Sequence, residues 1–406
     1  MSPADPRYND AKKNSKEYTA KVASPIVNGD ARLNIGDNSF TASASIDVAE
    51  VPFVTVNSIG LADNTVTVGT DEGDYIISRL GQWAQAFYDE LCGAYNKAVL
   101  RAFFVSGAPV CAAKGDYSFT EKTSVNGKGP VHVYDNCVVA LPPNSDARRI
   151  PLCFATGTEK GTYEFTLKLD VGSYKFLKLG YETASFADAV EKGIRGLHEK
   201  AVSALRDIDP SLTVSQASQL SKLMPEGVAA QIGKIASIAP SFVKALESNL
   251  SQTRAADGYK TFKEMCDPSK IWVGFKKNDS REEPADGESE VNKDPYIFWM
   301  IAPSPDGQFA AVEFGIANAA TFVYRTKGDV ISFATQLNRA LEAIGFRREV
   351  IRLTDEELMK PENVDYHMAS KRSASLQFIR KNFVTRIIHS SPEAWKRKLT
   401  ETWNGK

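Results

Sequence analysis

Residues 162–180, Thr-Tyr-Glu-Phe-Thr-Leu-Lys-Leu-Asp-Val-Gly-Ser-Tyr-Lys-Phe-Leu-Lys-Leu-Gly, decide how this chain folds. Tyr163, Phe165, Leu167 and Leu169 fall on alternate positions, the period at which a strand sends side chains to one face. Asp170-Val171-Gly172 supplies a short turn in which Gly172 is suited to a positive φ. Tyr174 to Leu179 is the returning strand, and Gly180 ends it. Beyond it the period changes. Phe186, Val190, Ile194, Leu197, Val202 and Leu205 lay one apolar stripe along a helix.

Ninety-nine residues earlier the same design is written once before. Thr67, Asp71, Gly73 and Tyr75 stand where Thr166, Asp170, Gly172 and Tyr174 stand later. Leu80, Gly81, Phe87 and Asp89 likewise match Leu179, Gly180, Phe186 and Asp188. A helix follows here too, with Trp83, Phe87, Leu91, Tyr95 and Val99 every four residues. Strand-like runs precede both hairpins, at 32–46 and 51–56 and again at 131–141 and 150–154. Several antiparallel strands closed by one C-terminal helix make a small barrel or sandwich. The matched positions are turn glycines and core aromatics, so the repeat describes a scaffold. Asp71 and Asp170 read as turn residues, Asp89 and Asp188 as helix-surface ones.

This pattern, over roughly Pro25 to Leu205, resembles the pleckstrin-homology (PH-like) superfold in tandem. The tandem arrangement is similar to that in the middle domains of FACT-type histone chaperones. The expected fold class is α+β, as tandem small antiparallel β-barrel or sandwich units, a helical connector and a third α+β domain. The boundaries expected are a disordered arm at 1–24, PH-like units at 25–110 and 111–208, a connector at 209–267 and a C-terminal domain at 268–406. In the connector, Pro225 and Pro240 punctuate the apolar stripes 212–224, 228–238 and 242–250.

The third region offers strands at 271–275, 296–301, 309–314 and 321–325, the last two as a hairpin turning at Ile316-Ala317-Asn318. An acidic mobile loop is expected at 278–295. Asp329 caps a helix carrying Phe333, Leu337, Ala340, Leu341 and Ile344, which Gly345 ends. The region is either a divergent third copy or an independent α+β unit. The tail predicts a strand at 348–353, an amphipathic helix at 375–388, and a last helix opened by Ser391 and Pro392.

Chemistry is sparse. The 406 residues carry a formal net charge of −1, which gives no whole-chain pull toward nucleic acid or membrane. No stretch is apolar enough for a membrane span, and residues 1–24 have no signal-peptide core, so a cytoplasmic protein is expected. Cys92, Cys111, Cys137, Cys153 and Cys266 form no CxxC pair and read as reduced, mostly buried thiols. His132, His198, His367 and His389 lack metal-ligand spacing. Val125-Asn-Gly-Lys-Gly-Pro lacks the phosphate-loop spacing and reads as a turn. Neither GxGxxG nor GxSxG occurs. No cofactor, metal or catalytic residue is therefore assigned.

The last seventy or so residues are basic. Arg347, Arg348, Arg352, Lys371, Arg372, Arg380 and Lys381 are the candidate anion- or partner-binding residues, against the alternative of a solvated, salt-bridged helix face. The leading expectation is a non-enzymatic scaffold that binds a protein or peptide through its PH-like modules, at open strand edges. One alternative is a nucleic-acid-associated protein that uses the basic C-terminal region. A second is an enzyme of unrecognised type, whose residues assemble only in space.

Overall fold

The computed structural model describes residues 17–121, 123–225, 227–278, 295–315, 320–347 and 349–405. Among the described residues it is an α+β fold with three antiparallel sheets. The first contains β1 (Tyr18–Ala23), β2 (Asn28–Ile35), β3 (Ser39–Ser43), β4 (Val48–Pro52), β5 (Val56–Ala62), β6 (Thr65–Thr70) and β7 (Gly73–Ser78). Its order is β4-β3-β2-β1-β7-β6-β5, so the first strand pairs with the last. β1 corrects the expectation of a disordered arm over 1–24: Tyr18, Ala20 and Val22 alternate into the core, and the strand pairs on both sides. The second contains β8 (Cys111–Thr120), β9 (Ser124–Val133), β10 (Cys137–Ala140), β11 (Arg148–Pro151), β12 (Ala155–Lys160), β13 (Glu164–Leu169) and β14 (Gly172–Leu177). Its order is β11-β10-β9-β8-β14-β13-β12.

Details at the level of single residues also recur at the same offset. A bulge interrupts the pairing at Val56/Ser58 in β5 and at Ala155/Gly157 in β12. Arg79 and Lys178 both adopt positive φ, at 60° and 55°, just before Gly81 at 56° and Gly180 at 62°. The helices α1 (Ala84–Ala102) and α2 (Thr183–Ile208) follow. Phe87 and Phe186 anchor them, each fully buried against its own sheet. Tyr75, Leu80, Tyr174 and Leu179 are buried beside them. Trp83, expected in the α1 stripe, is instead half-exposed, in the 3-10 turn ahead of the helix.

The glycines divide by mechanism. Gly73 lies at φ 128°, but Gly172 is not in the positive-φ region. A side chain at Gly172 would collide with the Thr120 carbonyl oxygen, because β8 passes across the turn there. Close backbone approach, not φ, excludes a Cβ. Residues 125–130 correct the turn reading, since they lie inside β9 in register with β8. Gly127 leaves the space that the Tyr117 ring fills.

The third sheet holds β15 (Ala230–Gln231), β16 (Trp272–Lys277), β17 (Tyr296–Pro303), β18 (Phe309–Phe314), β19 (Ala320–Arg325) and β20 (Phe383–Ile388), in that order. Its strands follow the chain without a crossover between the first and last, unlike the other two sheets. Helices α3 (Val214–Leu223), α4 (Ile232–Ile238), α5 (Pro240–Leu250) and α6 (Ala256–Met265) precede or interrupt it. They are more than a link: Leu220, Ile235, Phe242, Leu246 and Phe262 share one core with Val273, Phe298 and Met300 of the sheet. Residues 230–231, expected to be helical, are extended and add β15 to β16.

On the other face lies α7 (Val330–Ala343), capped by the Asp329 carboxylate accepting from the Ser332 amide; Gly345 at φ 57° follows its end. Then come α8 (Glu349–Arg352), α9 (Asp355–Leu358), α10 (Val364–Arg372), α11 (Ala374–Asn382) and α12 (Pro392–Trp403). Two expectations need correction. Residues 349–352 form a helical turn, not a strand. The helix expected over 375–388 stops at Asn382, and Phe383–Ile388 is the edge strand β20, paired with β19. Val384, Thr385, Ile387 and Ile388 are β-branched, and the open edge of β19 captures them. Residues 1–16, most of the acidic loop (279–294) and the 316–319 turn lie outside the described residues. Among the described residues, no helix is long and apolar enough to cross a membrane.

Candidate functional site

Of the described basic C-terminal candidates, several are engaged within the chain. Lys371 pairs with Asp71 and donates to the Val54 carbonyl at 3.0 Å. Arg372 donates to the Tyr95 hydroxyl and to the Asn144 carbonyl at 3.4 Å. Both therefore fasten α10 to the first sheet and α1. The Arg347 guanidinium lies 4.6 Å from the Phe104 ring centre. Arg380 donates to the Leu353 carbonyl at 2.7 Å and to Asp355 at 2.8 Å. Arg352 and Lys381 are exposed, and Arg348 lies outside the described residues.

Burial pushes the pKa of His132 down, and its Nδ1 is buried without a partner. His367 is lowered by burial and then by Lys371. His198 Nδ1 lies 3.1 Å from Ser221 Oγ, a pair that looks like an activated nucleophile. The hydroxyl, however, donates to the Ser218 carbonyl at 2.9 Å, so the histidine nitrogen is the donor to it. His389 Nε2 is 3.0 Å from Thr321 Oγ1, which donates to buried Glu313 at 2.6 Å and accepts from Trp395 Nε1 at 2.8 Å. That network ties β20 and α12 to the sheet interior. Its members are far apart in the sequence, and no motif announces them. Among the described residues, no three His, Cys, Asp or Glu side chains group as a metal site.

What does stand out is a strand edge. In the first sheet β5 is an edge strand, and the chain itself extends it. Ile59 N donates to the Pro143 carbonyl at 2.7 Å, and Ser145 N donates to the Asn57 carbonyl at 2.9 Å. Ser58 and Asn144 form an antiparallel bridge between them. Tyr95 of α1 closes the groove by donating to the Asn144 carbonyl at 3.1 Å. Residues 143–145 thus lie in the groove between a sheet edge and a helix as an added strand.

The matching edge of the second sheet is β12, where Thr156, Gly157 and Thr158 occupy the positions of Asn57, Ser58 and Ile59. Among the described residues, no backbone group pairs with this outer edge. A cleft of about 930 Å³ reaches this edge at Ala155 and Thr156 and is lined also by Ile194, the counterpart of Tyr95. Trp272 and Arg339 line it as well. Its charged lining is Arg195, Lys222, Lys234 and Arg339 against Glu199 and Asp170, a surplus of positive charge. At the far end Lys160 bridges from β12 to Asp188 and Glu191 of α2, each at 3.0 Å. No family model and no curated protein sequence matches this chain.

Proposed function

We propose that this protein is a non-enzymatic scaffold of two tandem PH-like units, the second of which takes an extended peptide onto the edge of β12. The shared strand order, the shared bulge and the shared positive-φ pair support reading the two sheets as copies of one unit. One observation carries the binding reading: residues 143–145 already occupy the first unit's groove as an added strand. A groove that takes a strand in one copy is built to take one in the other, where the outward backbone groups of β12 are unpaired among the described residues. The basic lining favours an acidic peptide. Free thiols at all five cysteines suit a reducing compartment such as the cytoplasm. The nucleic-acid reading draws less support, because Lys371, Arg372 and Arg380 are engaged within the chain.

The test is to screen the full chain against a library of acidic peptides that keep the Pro-Pro-Asn-Ser core of 142–145, and to compare wild type with Thr158→Pro. Proline removes the outward N–H yet is tolerated on an edge strand. The expected result is at least a tenfold loss of affinity with an unchanged circular dichroism spectrum. Equal binding by Thr158→Pro, or no peptide bound by the wild type, overturns the reading.

A further inference from the structure

A second cleft, of about 620 Å³, lies where the second sheet meets α7 and α11. Arg148, Arg149, Arg339 and Arg372 all line it. Each of the four has a buried Nε without a hydrogen-bond partner, and among the described residues no other arginine does. The side chains of Arg149 and Arg339 are only 7% and 10% exposed. A guanidinium proton removed from water and left unbonded is costly, and four around one cavity is a strong departure from ordinary burial. The carboxylates present do not balance them. Glu342 pairs with Arg149, Asp170 with Arg339, and Glu121 accepts from the Tyr174 hydroxyl at 2.6 Å. Arg372 bonds only neutral oxygens, and the Arg148 side chain has no hydrogen bond or ion pair among the described residues. Counting all three acids, one positive charge is left over.

The N-terminus of α11 adds donors. Ser373 caps it, and Ser373, Ala374 and Ser375 line the cleft. First-turn amides have no partner within a helix and carry the positive end of its dipole. We propose that this cleft binds a phosphate-bearing small molecule, held by Arg148 and Arg372 and the first turn of α11, with Arg149 and Arg339 behind them. Planar guanidinium forks and a helix N-terminus together suit an oxyanion with several acceptors. The cavity exceeds a bare phosphate and lies in the small-molecule range. Phe103, Pro151 and Phe378 give it apolar walls for an organic part. Such a ligand would bridge the second unit to α7 and α11, and so hold the scaffold in one arrangement. The inference does not depend on the peptide groove.

The test is calorimetric titration of the full chain with inorganic pyrophosphate at fixed ionic strength, with citrate as a polycarboxylate control. Saturable pyrophosphate binding is expected, with a Kd raised at least tenfold in Arg148→Gln and recovered in part by Arg148→Lys. Because the Arg148 side chain bonds nothing among the described residues and its burial is costly, the thermal midpoint of unliganded Arg148→Gln should not fall below that of the wild type. Should that variant not fold, Thr123→Glu, an exposed position on the rim, should weaken binding to a similar degree. The proposal is overturned by any of three results: no saturable heat with pyrophosphate, citrate binding as tightly, or variants that bind like the wild type.

Discussion

Asp71 and Asp170 hold the same place in two hairpin loops ninety-nine residues apart, and each accepts an ion pair from the C-terminal half. Lys371 of α10 reaches Asp71, and Arg339 of α7 reaches Asp170. Their sequence reading as turn residues is incomplete. Each loop tip is also a docking point, and two unrelated helices of the third region serve equivalent positions on the two sheets.

The two contacts should differ in strength. Lys371 and Asp71 are both more than a third exposed, so solvent screening limits Lys371→Ala to roughly 0.2–1 kcal/mol. Arg339 is nearly buried and its guanidinium lies 4.7 Å from the Phe154 ring centre, so Arg339→Ala should cost about 2 kcal/mol or more. Urea unfolding checks both. In 1 M NaCl the first effect should vanish and the second persist. Burial would raise the Asp71 pKa, but bonds from Lys371 and Asn57 hold it below its ordinary value. Its stabilisation is therefore present at neutral pH and lost as pH falls through that lowered value.

Gly172 and Gly180 separate two reasons for glycine. Gly180 needs positive φ and has open space around it, so Gly180→Ala should cost about 1 kcal/mol. Gly180→Asn should recover part of that, since asparagine tolerates the left-handed region. Gly172 is blocked by the Thr120 carbonyl, so Ala and Asn should both cost about 2 kcal/mol or more there. A recovery by Gly172→Asn in denaturant melts would contradict this account.

What the sequence made legible was local. Alternation at Phe165, Leu167 and Leu169, and the helical stripe through Phe186 and Val190, report burial against neighbours a few residues away. Strand order did not show, because the pairing of Tyr117 with Phe176 is a long-range choice that neither segment encodes alone. Residues 375–388 misled for a related reason. Leu376, Ile379, Phe383 and Ile387 keep helical spacing, yet the last two sit in a strand that an open sheet edge captured. The candidate sites were the least visible. Pro143, Asn144 and Ser145 look like an ordinary loop until β5 is seen beside them, and Arg148 and Arg372 are 224 positions apart.

Alkaline pH should destabilise the fold through its thiols. Burial pushes Cys92 and Cys137 up to about 11 and Cys266 to about 12, against 9.0 for the unperturbed group. Between about pH 9 and 11 the unfolded chain loses these protons while the folded chain keeps them. Ionisation then favours the unfolded state, so stability is intact below 9 and falls as pH rises across that window. Urea midpoints from pH 8 to 11 measure it, and substituting Cys92 and Cys137 by alanine should flatten part of the slope. In native protein at pH 8, Ellman's reagent should react far more slowly than after denaturation.

Arg149 and Glu342 form the most buried ion pair between the second sheet and α7, with side chains 7% and 11% exposed. Burial alone would lower the Arg149 pKa; the Glu342 carboxylate outweighs it and keeps the guanidinium charged. Removing one partner strands a buried charge, so Glu342→Gln should cost about 3–5 kcal/mol in urea unfolding. The double change Arg149→Met with Glu342→Leu should cost far less, because no charge is then left unpaired. The pair also borders the arginine-lined cleft, which gives a second readout. Glu342→Gln leaves one more uncompensated guanidinium facing that cleft, so pyrophosphate should bind it more tightly than the wild type. Lower stability with higher anion affinity is a pairing that general loosening of the fold would not produce, since a loosened cleft holds its arginines apart and binds less well.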